Sequence, residues 1–281
     1  PPAILDKLSK YWGWIKSQDR DIYTLVLESA LIKTTKSFSY ADDEVPKLFA
    51  SKRKKALVNE LVFTDWQNKM DNMMASVSTK ILNSINEFIE ASKNSNAQVI
   101  YHGGVDSSNY DYSNVRPFNL LITSPPYMQA QEYIRSSKME LFWLGYNANY
   151  IKELSKLEIP YRPPSRVIHT ETLDGLRSIL DREDLIKILD SYFSHTINSL
   201  ERAMENMASS SISCIFIGNP TIDGNTVEIW RILKEYFEKL NFATLDVFED
   251  IIKVRQLFGG RNNKNPSGMK SEFLLILKKI K

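Results

Sequence analysis

The chain of 281 residues is 43% hydrophobic and 25% charged, enough apolar content for a packed core and too much for a disordered chain. Its 36 basic and 34 acidic side chains leave a net charge of +2, so an anionic partner is neither required nor forbidden, and the placement of charge must decide. One cysteine (Cys214) excludes an intrachain disulfide, it forms no metal-ligating cluster with His102, His169 and His195, and no stretch has the length of a membrane span or the pattern of a signal peptide, so a cytoplasmic protein with no metal and no membrane partner is expected.

The chain opens Pro1-Pro2 with no methionine and reads as the tail of a longer polypeptide. Between residues 4 and 36 apolar side chains recur at helical spacing, first Leu5, Leu8 and Trp12, then Ile22, Leu25, Val26 and Leu27. Two helices broken near Ser17 are predicted. Ser51 is followed by four cations in succession, Lys52, Arg53, Lys54 and Lys55. They suit either a solvated helix face or phosphate contacts that position a duplex without reading its sequence. Residues 56–91 carry a helical pattern with Met70, Met73 and Met74 as core, and Lys93-Asn94-Ser95-Asn96 ends it. The boundary falls there, between a helical region at 1–96 and an α/β domain at 97–281.

In that second region Gln98-Val99-Ile100-Tyr101 reads as a strand that runs into His102-Gly103-Gly104-Val105-Asp106. The glycines let backbone approach a ligand closely, and Asp106 is either a ligand contact or an exposed turn residue. The apolar run 118–123 reads as a strand buried on both faces. It stops at Ser124-Pro125-Pro126-Tyr127, where two prolines fix φ and remove two amide donors. A helical segment follows, ending at Gly145. Strand, stiff loop and helix make a site at the carboxyl edge of a parallel sheet, where open α/β folds bind ligands. Residues 146–166 are aromatic, basic and without period, and Arg162 and Arg166 are candidates for entering a DNA groove. A long amphipathic helix is expected at 181–207, a buried strand at 211–217, a helix at 227–240 and strands at 243–254 and 272–279. The loop joining those last strands carries Arg255, Arg261 and Lys264, which suit either phosphate contact or a plain surface loop.

The strand ending in Ser124-Pro125-Pro126-Tyr127 resembles the catalytic motif of the DNA amino-methyltransferases, which methylate cytosine-N4 or adenine-N6. The continuation Glu132-Tyr133-x-Arg135-x-x-Lys138, ending in Phe142-Trp143-Leu144-Gly145, is similar to one branch of that family. The resemblance implies a Rossmann-like sheet that uses S-adenosylmethionine, with the last strand inserted antiparallel beside its predecessor. It implies that Ser124 and Pro125 accept hydrogen bonds from the target amine, that Pro126 stiffens the loop, and that Tyr127 stacks on a base displaced from double-stranded DNA. Asp106, Gly103 and Thr123 are the implied cofactor contacts, although Val105 separates the glycines from the aspartate. The implied setting is a restriction–modification system. Serine at the first motif position is typical of the cytosine-N4 enzymes; adenine-N6 and a DNA-binding or assembly subunit without turnover are the alternatives.

Ten glycines include no Gly-x-Gly, so the family's glycine-rich cofactor loop is missing. The first two strands of the cofactor half are missing with it. The expectation is a partial methyltransferase sheet completed by an upstream segment or a separate chain.

Overall fold

The computed structural model describes residues 1–42, 48–128, 133–253 and 269–280. They fall into two compact units, Pro1–Tyr101 with Glu132–Ser155, and His102–Gln131 with Lys156–Lys281.

The first unit is helical: α1 (Pro2–Lys16), α2 (Ile22–Ser37), α3 (Lys52–Leu61), α4 (Trp66–Ser92), α5 (Tyr133–Ser136), α6 (Lys138–Leu144) and α7 (Ala148–Ser155). Helix α1 starts with proline in its first turn, where a missing amide costs nothing. It buries Ile4, Leu8, Trp12 and Ile15, spaced to lie on one face. Helix α2 opens with a reciprocal cap in which the Thr24 amide donates to Asp21 at 2.7 Å and the Asp21 amide donates to Thr24 Oγ1 at 2.8 Å. The core gathers Leu31, Val58, Trp66 and Met70 around Trp12, whose ring stacks on Trp143 of α6 at 5.8 Å. That stack places the helices after the Ser-Pro-Pro-Tyr loop among the N-terminal ones. Helix α6 closes on Gly145 at φ 102°, a left-handed position suited to glycine.

Two expectations change here. The single helix expected at 56–91 is two, α3 and α4, interrupted at 62–65, and α3 begins four residues earlier, at Lys52. Part of the supposedly irregular 146–166 region is α7, which buries Ile151.

The second unit contains β1 (Phe118–Thr123), α8 (Glu171–Ile179), α9 (Glu183–Glu205), β2 (Met207–Gly218), β3 (Thr221–Ile222), β4 (Asn225–Thr226), α10 (Ile229–Glu238), β5 (Phe242–Ile251) and β6 (Ser271–Lys279). The main sheet has the order β1-β2-β6-β5. Strands β1 and β2 are parallel, and β6 runs antiparallel to both β2 and β5, which makes a mixed α/β fold. The hairpin β3–β4 turns at Asp223-Gly224, both at positive φ, as a tight two-residue turn demands. Helix α9 buries Leu189, Phe193, Ile197, Leu200 and Met204 on one stripe, in one core with Ile215, Ile217, Leu275, Leu277 and Phe237 of α10. Full burial of a side chain such as Phe193 contributes about 1.5–3 kcal/mol.

The strand expected at 98–101 does not form: Val99, Ile100 and Tyr101 are 85%, 76% and 88% exposed, with no ladder partner among the described residues. Apolar, β-prone side chains make a strand only where a neighbour supplies hydrogen bonds. Strand β1 forms, but at the sheet's edge and no more than half-buried, on one face. The register puts Leu120 and Ile122 on the same face as Phe248, away from the core side, and all three are more than half exposed. Cys214 pairs with Ile122 on this face and is half-buried. Among the described residues no helix is long and apolar enough to cross a membrane, and no group of three or more metal-ligating side chains occurs.

Candidate active site

Strand β1 delivers Ser124-Pro125-Pro126-Tyr127 to its carboxyl end. Pro125 is buried, Tyr127 is half-buried, and Ser124 and Pro126 are exposed. Tyr127 donates its hydroxyl to the Glu272 carboxylate at the start of β6, so the ring is oriented from across the sheet. A cleft of about 360 Å³ lies beside the loop, within the range of small-molecule sites. Thr123, Ser124, Pro125, Pro126, Asp106 and Arg162 all reach its wall. Five of these were expected at the target or cofactor, and the structure brings them together. Gly103 is exposed and outside the wall; the positive φ of the pair belongs to Gly104.

Helix α9 forms the back of this site. Its apolar stripe faces the core, and its polar side chains hold two loops. Asn198, Arg202 and Asn206, four residues apart, donate to the carbonyls of Ser108, Tyr110 and Val115. Ser191 Oγ lies 2.6 Å from the Ile159 carbonyl and 2.7 Å from that of Arg162. Ser194 Oγ accepts from the amides of Ser165 and Arg166 at 2.9 and 3.2 Å. His195 Nε2 donates to the Pro163 carbonyl at 3.0 Å. None of these residues was expected at the site from the sequence, though the four-residue spacing of Asn198, Arg202 and the C-cap Asn206 was there to find.

Pinning the second loop changes the reading of its arginines. Arg162 pairs with Asp106 at 2.7 Å, and its side chain is 16% exposed. Arg166 pairs with Glu201 and lies over the Tyr236 ring. The Arg162 guanidinium is thus largely buried and engaged within the unit, whereas Arg166 stays exposed while it pairs with Glu201. Burial pushes the Asp106 carboxyl up, but the Arg162 guanidinium and the Ser108 hydroxyl and amide outweigh it and hold Asp106 below its ordinary value of 3.8.

The basic run is also redistributed. Lys52 to Lys55 form the first turn of α3, where successive side chains point about 100° apart. Lys54 is therefore turned inward and is 7% exposed, Arg53 approaches Asp42 at 3.9 Å, and Lys55 lies over the Tyr40 ring. Lys52, Arg53 and Lys55 remain exposed. Arg255, Arg261 and Lys264 lie outside the described residues. In comparisons with known proteins, no family model matches the chain and no curated protein matches it.

Proposed function

We propose that the chain is the catalytic portion of a DNA methyltransferase that acts on the exocyclic amine of a displaced base, with cytosine-N4 as the target and adenine-N6 as the alternative. One observation carries the reading: Ser124-Pro125-Pro126-Tyr127 leaves the carboxyl end of a parallel strand and borders a cleft large enough for a small molecule. The antiparallel β6 between β2 and β5 supports it, since the resemblance implies that placement of the last strand.

S-adenosylmethionine supplies an electrophilic methyl group when bound. The chain's residues act on the amine. Its lone pair is delocalised into the base ring, and acceptors at Ser124 Oγ and the Pro125 carbonyl draw the two N–H bonds out of that plane. With a methyl donor bound beside the loop, these two acceptors would leave the amine's lone pair free to take the methyl group, and the surplus proton of the methylated amine would pass to solvent. Tyr127, oriented by Glu272, stacks on the base.

The edge position of β1 and the exposed face bearing Ile122 support a cofactor half supplied by an upstream segment or a separate chain. Calorimetry of this chain with S-adenosylmethionine is expected to show little binding alone and micromolar binding after the glycine-loop polypeptide is added. Micromolar binding by the chain alone would exclude the divided arrangement. Labelled-methyl transfer to DNA by the mixture tests the activity itself, and a mixture that binds cofactor and DNA without transfer would favour the assembly-subunit alternative. Nucleoside mass spectrometry decides between N4-methylcytosine and N6-methyladenine.

Replacing Lys52, Arg53 and Lys55 together by glutamine, with buried Lys54 left intact, should weaken DNA binding alike for all sequences and flatten its salt slope by up to about 3. An unchanged slope would assign the run to a solvated helix face.

A further inference from the structure

Helix α4 outruns the helix beside it. Its 27 residues extend about 40 Å, against about 24 Å for the 16 residues of α2. Only Trp66 and Met70, near its start, are buried. Yet apolar or small side chains continue from Met70 to its last turn at alternating steps of four and three, at Met74, Val77, Ile81, Ser84, Phe88 and Ala91. That spacing is the seam of a coiled coil, and a seam needs a second helix. Val77, Ile81, Ser84 and Phe88 line an open groove of about 530 Å³, whose opposite wall comes from Ser29 and Lys33 of α2. Phe88, at the far end of that groove, is 66% exposed.

Charge selects the helix that fits. Lys80 flanks the seam and shares the groove wall with Lys33. Glu87 stands one heptad after Lys80, on the same flank. Among the described residues none of these three side chains has an ion pair or a hydrogen bond. In a parallel pair this flank would meet Ile85 and Ser92 of the other helix, and no charge would be answered. In an antiparallel pair like flanks meet. With Val77 opposite Phe88 and Ile81 opposite Ser84, Lys80 then comes against Glu87 of the other helix, and Glu87 against its Lys80. Lys33 adds to the positive side of each contact. The helix that this groove calls for is therefore α4 itself.

We propose that α4 is a dimerisation helix: a second copy of this chain lays its α4 antiparallel in the groove between α2 and α4, about a twofold axis between Leu82 and Asn83. The contact uses the same surface on both copies and so closes at two. It goes beyond the methyltransferase reading and stands or falls without it.

Sedimentation velocity of the full chain over about 5–200 μM is expected to show monomers converting to dimers. Lys80→Glu and Glu87→Lys each set like charges against one another at both contacts and should raise the dissociation constant about tenfold. Mixed in equal amounts, the two variants should recover most of the wild-type association, because the mixed pair sets the glutamates of one chain against the lysines of the other. Phe88→Ser removes an apolar side chain from each half of the seam and should raise the constant about tenfold or more. All three positions are exposed, so each variant should keep the wild-type helix content by circular dichroism. A chain that stays monomeric at every concentration would overturn the proposal, and so would a dimer indifferent to Phe88→Ser. Charge variants that associate as wild type does, or that show no recovery on mixing, would overturn it as well. A chain that is monomeric alone and uses these residues only to bind the glycine-loop polypeptide would give the groove to that partner and reject the second copy.

Discussion

On the proposed methyltransferase reading, Ser124→Ala is expected to lower the rate of methyl transfer about 100-fold or more while DNA affinity stays within about twofold. In that reading the hydroxyl is one of two acceptors held where the amine would change geometry, and the following prolines fix the loop before substrate arrives. Its contribution grows only as the nitrogen becomes pyramidal, so its loss is felt in the transition state and little in the bound ground state. Ser124 is exposed and terminates no core contact, so alanine leaves the fold intact. Single-turnover transfer of labelled methyl to DNA, with the glycine-loop polypeptide present, measures the effect. A rate equal to wild type would show that the reaction does not take place at this loop.

Arg162→Ala destabilises the second unit by about 1–3 kcal/mol at neutral pH, and the deficit shrinks on acidification. Arg162 is the cation that holds Asp106 ionised; without it the carboxylate keeps its burial and loses its charge partner. A third of the Asp106 side chain remains exposed, so water moderates the loss and the full cost of breaking a buried pair is not reached. The sign follows from the depressed folded pKa. Wild-type stability from this group is present above the unfolded value near 3.8 and is lost as pH falls through the lower folded value. Below that range Asp106 is protonated in both proteins and the difference between them closes. Thermal melts of both proteins from pH 7 down to pH 3 provide the measurement. A gap that stays constant with pH would show that Arg162 acts through packing and not through Asp106.

The elements with strong local patterns were legible in the sequence, and their neighbours were not. The run 118–123 announced β1, because continuous apolar residues closed by two prolines leave few alternatives. Its place at the edge is a property of the strands beside it, which its own residues do not encode. Val99, Ile100 and Tyr101 carried the same β preference and found no ladder. Helix α7 went unread because it is short, and among its residues only Ile151 is buried. The loop motif was visible as four adjacent residues. The pairing of Arg162 with Asp106 and of Arg166 with Glu201 was not, because the partners stand 56 and 35 residues away. Without those acids in view, two arginines among prolines and aromatics look like free cations.

Helix α9 fastens residues 108–115 through Asn198, Arg202 and Asn206, and residues 159–166 through Ser191, Ser194 and His195. Two segments far apart in the chain therefore have one mooring. Neither can swing away independently while the helix is wound, and a loosening of α9 frees both at once.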